Sequence, residues 1–175
     1  MDDNVMIPDI PGQADLIAQA DQQRTELATK HRSGADWFFW IAGLSIVNSL
    51  IVLFGANLSF VIGLGSTQLI DGLAMGMIEE GLVVEHANVL KVAAFLMDVF
   101  VACSFVLWGI LARRRFRWAY IVGMVFYALD GLLFVLVMDL WSIGFHIFAL
   151  YCLYKGFQAC GQLKKLDALT SAMAQ

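Results

Sequence analysis

Four strongly polar side chains interrupt otherwise apolar runs of this sequence: Asn48, Asp98, Asp130 and His146. A charged group at the centre of a hydrocarbon layer costs from about 2.5 kcal/mol upward, so it persists where it finds a partner or a task. Two carboxylates and an imidazole, Asp98, Asp130 and His146, are suitable ligands for a divalent metal, the one cofactor these residue types suggest. They are equally suited to a proton relay, because burial and a second carboxyl make one carboxyl hold its proton, and an imidazole exchanges one near neutrality. The third reading needs no ligand. Asp98 and Asp130 would then bond to hydroxyls, to His146 or to backbone and only fix how helices sit. The sequence leaves all three open.

The surrounding composition decides the medium. Of 175 residues, 60% are hydrophobic and only 15% charged, with a mean hydropathy of +0.74. That is too apolar for a soluble domain of this length to cover its surface. The same balance excludes a disordered chain, a nucleic-acid binder and a disulfide-stapled module. The lipid bilayer is therefore the expected partner, and nucleic acid is not. Cys103, Cys152 and Cys160 all lie in apolar runs, without a C-x-x-C pair, and read as packing groups. The first 34 residues are polar and carry Asp2, Asp3, Asp9, Asp15 and Asp21, the wrong charge and order for a cleavable signal peptide.

Four runs, at about 37–56, 90–111, 118–138 and 141–161, can cross a hydrocarbon layer of ~30 Å at ~1.5 Å per residue. The expected fold is all-α: a polytopic membrane protein with four transmembrane helices in an antiparallel bundle. A fifth stretch, Leu58 to Ile78, is also long enough but contains Gln68, Asp71, Gly63, Gly65, Gly72 and Gly76. Lysine and arginine decide its status, since short cytoplasmic loops carry an excess of them. With four spans, Arg24, Lys30, Arg32, Arg113, Arg114, Arg115, Arg117, Lys155, Lys164 and Lys165 fall inside and Lys91 alone outside. A fifth full crossing would destroy that asymmetry. Residues 58–78 are accordingly expected as a re-entrant or interfacial helix on the outer side, with both termini cytoplasmic in a cell membrane of bacterial inner-membrane type.

Counted from the outer span ends, Asn48, Asp98 and Asp130 lie about eight residues deep and His146 about five, roughly 8–12 Å down. They should form one polar layer, which the 58–78 segment could cap while adding Gln68 and Asp71. Small residues predict inward faces: Ala94 and Ala102 beside Asp98, Ser45 and Ser49 beside Asn48, and Ala119, Gly123 and Phe126 in line with Asp130. Ala14 to His31 reads as a short amphipathic helix with Leu16, Ile17, Ala20 and Leu27 on one side, and 162–175 as a cytoplasmic tail. Arg113–Arg117 reads as a topology anchor, Gly72-x-x-x-Gly76 as a packing pattern, Asp139 as a turn residue, and His31 and His86 as solvated.

No nucleophile elbow, H-E-x-x-H or Walker pattern is present, which disfavours a conventional hydrolase or pump. Three functions stay open: an oligomeric membrane protein that binds or conducts an ion, proton or small polar ligand; a metal-assisted enzyme acting on a lipid-like substrate; or an accessory subunit docked on a partner membrane subunit through residues 14–31.

Overall fold

The computed structural model describes residues 13–54 and 63–173, and their regular structure is entirely helical. Helix α1 (Gln13–Leu53) is followed by α2 (Gly65–Glu79), a single 3₁₀ turn (Val84–His86), α3 (Ala87–Arg113), α4 (Arg117–Leu136) and α5 (Leu140–Met173). The expected amphipathic arm and first span are one uninterrupted helix of 41 residues. The part of the 58–78 segment before Gly63, and the last two residues of the first expected span, lie outside the described residues.

Among the described residues, three helices are long and apolar enough to cross a membrane: Ile17–Leu53 within α1, α3 and α4. Helix α5, expected as the fourth crossing, is not one of them, because His146 and Lys155, with Trp141, Tyr151, Tyr154 and its glycines, lower its hydropathy. Helix α2 has 15 residues, about 22 Å of rise, and falls short of a hydrocarbon core of ~30 Å. The outer surfaces of α3 and α4 carry Leu96, Phe100, Leu107, Ile121, Val125, Leu129 and Leu132 exposed. Faces this apolar suit a lipid environment and would be an aggregation liability in water.

The buried positions of α1 follow the rhythm Leu27, His31, Gly34, Phe38, Ile41, Ser45, Asn48, and those of α5 follow Ser142, His146, Ala149, Leu153, Gly156, Cys160, Leu163. Alternating steps of four and three keep one seam of each helix facing its partner. Gly34 and Gly156 meet where these two seams cross, and a Cβ on Gly34 would strike the backbone of Gly156. Phe38 fills the notch left by Gly123 and lies beside Gly109, which joins α1 to α4 and α3. Four sequence expectations fail on this geometry, in whole or in part. His31 is buried rather than solvated, since its spacing places it on the α1 seam, where Tyr120 Oη donates to the His31 carbonyl at 2.8 Å. Phe126 is exposed, and the inward residue of that turn is Tyr127. Gly72 and Gly76 meet no other residue closely, so the expected close packing is not made among the described residues. Of the residues expected on the arm's apolar side, Leu27 is buried whereas Ile17 and Ala20 are exposed.

Three helices end alike. At Gly81, Arg115 and Met138 the backbone turns left-handed, with φ of 74°, 63° and 55°. In each case the N–H one residue further on reaches back to a carbonyl in the helix: Leu82 to Met77, Phe116 to Leu111, Asp139 to Phe134, all at 3.1 Å. This six-to-one closure satisfies carbonyls that a helix end otherwise leaves bare. It also reverses the chain within three residues between α3 and α4. At that turn the arginines of the cluster make contacts of their own. Arg113 pairs with Asp36 at 2.6 Å and lies over the Phe39 ring, Arg115 pairs with Asp167 at 2.7 Å, and Arg117 lies over Phe157.

Candidate polar site

The first residues of α2 enter the helical layer against α1 and α4, and their backbone donors need acceptors. Leu64, at the N-cap position, supplies none from its side chain. Other elements do. Ser45 Oγ accepts the Leu64 N–H at 2.9 Å while donating to the Ile41 carbonyl at 3.0 Å. Asp130 of α4 accepts the Gly65 N–H at 2.6 Å on Oδ2 and the Ser66 N–H at 2.8 Å on Oδ1. A carboxylate at a helix N-terminus meets both the free donors and the positive end of the dipole. Asp130 is thus the cap of a helix 65 residues away in sequence. Gly65 is required here, because a Cβ would stand 2.9 Å from the Phe134 ring and 3.0 Å from the Asp130 carbonyl oxygen.

His146 of α5 completes this cluster. Its Nε2 lies 3.2 Å from Asp130 Oδ2, and its Nδ1 lies 2.8 Å from the Ser142 carbonyl oxygen. A carbonyl only accepts, which assigns a proton to Nδ1. The contact between Nε2 and Oδ2 is then a hydrogen bond only with a second proton between them. With that proton present the pair carries no net charge, whichever partner holds it, which lowers the cost of burying it. Tyr127 stacks on the imidazole at 4.3 Å between ring centroids, Phe134 covers it at 5.1 Å, and Gly131 leaves room for it on α4.

A second cluster sits between α1, α2 and α3. The carboxyls of Asp71 and Asp98 are neighbours of each other and of the Ser49 hydroxyl. Asp98 is completely buried, and among the described residues neither of its oxygens closes a regular hydrogen bond; Asp71 Oδ2 and Ser49 Oγ are likewise unpaired there. No lysine or arginine among the described residues comes within ion-pair distance of either carboxyl. Lys91 lines a small crevice with Asp71 without reaching it. Asn48 is buried and Gln68 half-buried, and among the described residues Asn48 Oδ1 and Gln68 Nε2 have no hydrogen-bond partner; both flank Gly63.

The six residues singled out by sequence are therefore divided. Asp130 and His146 form one cluster, Asp71 and Asp98 another, and Asn48 and Gln68 lie by Gly63. The proposed metal-ligand set Asp98, Asp130 and His146 is split between the first two. Among the described residues no three His, Cys, Asp or Glu side chains gather to hold a metal ion. Sequence reasoning missed Ser45, Ser49, Gly65, Ser66 and Tyr127 as members of the layer. Ser45 and Ser49 were in view as neighbours of Asn48, whereas nothing local distinguishes the backbone donors of Gly65 and Ser66.

Three long apolar helices around buried carboxyls and an imidazole place the chain among helical proteins compatible with a membrane. Compared with protein-family models, with curated proteins and with solved structures, it matches none.

Proposed function

We propose that this is a small integral membrane protein that binds a cation, a proton or a metal ion, in its buried polar layer, at Asp71, Asp98 and Ser49. The observation that carries the reading is the Asp98 carboxyl: wholly buried, beside a second carboxyl and the Ser49 hydroxyl, with neither oxygen closing a regular hydrogen bond among the described residues. Two facing carboxyls with one hydroxyl nearby present acceptors in excess of donors. Burying them together is tolerable only when positive charge is supplied. Oxygen-only donors suit a proton or a hard cation. In this reading α5 is the fourth crossing and both termini are cytoplasmic, supported by the ten basic residues that then lie on one side against Lys91 on the other. Assembly with further copies or with a partner membrane subunit would enlarge a permeation unit that four helices make small. The Asp130–His146 pair already has partners for both carboxyl oxygens and both ring nitrogens, and its part is to hold α2 in place over the layer.

The test is thermal unfolding of the detergent-purified protein titrated with Na⁺, with Ca²⁺ and with protons. A bound cation stabilises the folded form by mass action, so at least one titration should give a saturable rise in melting temperature, and Asp98→Asn should abolish it. The same saturable response in the Asp98→Asn protein would refute the assignment.

A further inference from the structure

Helices α3 and α4 are joined by a tight turn, yet they part along their length. Between them runs a groove of about 480 Å³, lined by Phe100, Ser104 and Trp108 on α3 and by Phe126, Leu129 and Asp130 on α4. That volume is in the range of small-molecule sites. From Phe100 to Trp108 the groove follows eight residues of helix, about 12 Å. Its mouth is on the apolar outer surface: Phe100 is 75% exposed and Leu129 57%. Its walls are mostly aromatic and aliphatic, whereas the Asp130 end is polar.

Asp130 itself is only 8% exposed. A carboxylate offers about four acceptor positions, and Gly65, Ser66 and His146 occupy three. One remains, at the end of an apolar trough. With a proton shared between His146 and the carboxyl the charge is balanced, and the complementary group is a neutral donor rather than a cation. An anionic head would meet only lone pairs there. Ser104 donates to the Phe100 carbonyl at 3.1 Å and so offers the groove an acceptor.

We propose that the α3–α4 groove binds a single-chain, hydroxyl-headed amphiphile that enters sideways from the bilayer. The head donates to Asp130, and the chain lies between Phe100, Leu129 and Phe126 with its end towards Trp108. This site is distinct from the Asp71–Asp98 pair and stands without it.

The test uses the full chain in phosphatidylcholine vesicles, titrated with a medium-chain alcohol brominated at the far end of its chain, with tryptophan fluorescence as the readout. A bromine beside Trp108 quenches it. The expected result is saturable quenching that is reversed by the unbrominated alcohol, missing in Trp108→Phe, and at least about tenfold weaker in Ser104→Phe, whose ring occupies the groove. The matching brominated carboxylic acid, anionic at neutral pH, should also bind at least about tenfold more weakly than the alcohol. Equal quenching by alcohol and acid, or undiminished binding in Ser104→Phe, overturns the proposal. So does a second copy of the chain cross-linked through the Phe100–Leu129 face whose yield the alcohol leaves unchanged. Should Ser104→Phe fail to fold, Val101→Phe at the same groove and the alcohol-against-acid comparison on the unaltered chain decide the question.

Discussion

Asp130 binds the Gly65 and Ser66 N–H groups and His146 at once, and of these Gly65 and His146 are buried and Ser66 is partly buried. Leaving a buried donor unsatisfied costs about 1–3 kcal/mol. Asp130→Ala should therefore lower the unfolding free energy by about 3 kcal/mol or more, measured by denaturant titration in mixed micelles, and Asp130→Asn should cost less because its amide oxygen still accepts. Equal stability of all three proteins would show that the cap contributes nothing. The value of Asp130 was legible in its apolar surroundings, but its partners were not, since backbone donors carry no sequence signature. His31 illustrates the opposite failure. Its polar neighbours suggest water, and only the four-and-three spacing through Leu27 and Gly34 puts it inside.

The start of α5 depends on Asp139. Its Oδ1 accepts the Trp141 and Ser142 N–H groups at 3.1 and 3.3 Å, and its Oδ2 accepts the Ser142 hydroxyl at 2.6 Å. The turn reading of this residue is correct, and the turn is also a helix N-cap. The Ser142 hydroxyl bond, aided by the backbone donors, holds the Asp139 carboxyl below the usual carboxylate range. A depressed carboxyl contributes stability above its unfolded value, about 3.9, and loses it as the pH falls through the lower folded value. Asp139→Ala should accordingly cost about 1 kcal/mol at neutral pH. The difference from the unaltered protein should shrink below about pH 4. Thermal melts of both proteins across that interval check it, and a difference independent of pH would refute the cap.

The molecule is assembled on the α1–α5 seam. Gly34 and Gly156 let the two backbones touch, and no side chain can be fitted between them without parting the helices. At the arginine-rich end, Arg24 and Arg115 both reach Asp167, and Arg113 reaches Asp36. These pairs are partly exposed and worth about 0–1 kcal/mol each, so packing at the glycine crossing outweighs them. Gly34→Val should destabilise the protein by about 1–3 kcal/mol or more, whereas Asp36→Asn should cost under about 1 kcal/mol. Comparing the two unfolding curves in one detergent tests the ranking. A larger loss in Asp36→Asn would mean that the ion pairs, not the seam, hold α1 in place.

Composition alone pointed to the helical class and to runs apolar enough to cross a membrane, because helices satisfy their own backbone within lipid and long apolar runs have few other uses. Periodicity likewise placed Asp98, between Ala94 and Ala102, on a buried face. What the chain order could not supply was partnership across elements. That Asp98 faces Asp71 while Asp130 caps α2 depends on how far each helix is turned and shifted against its neighbours. Those rotations are set by notches such as Gly123 under Phe38 and Gly34 on Gly156, where side chains from distant segments must interlock.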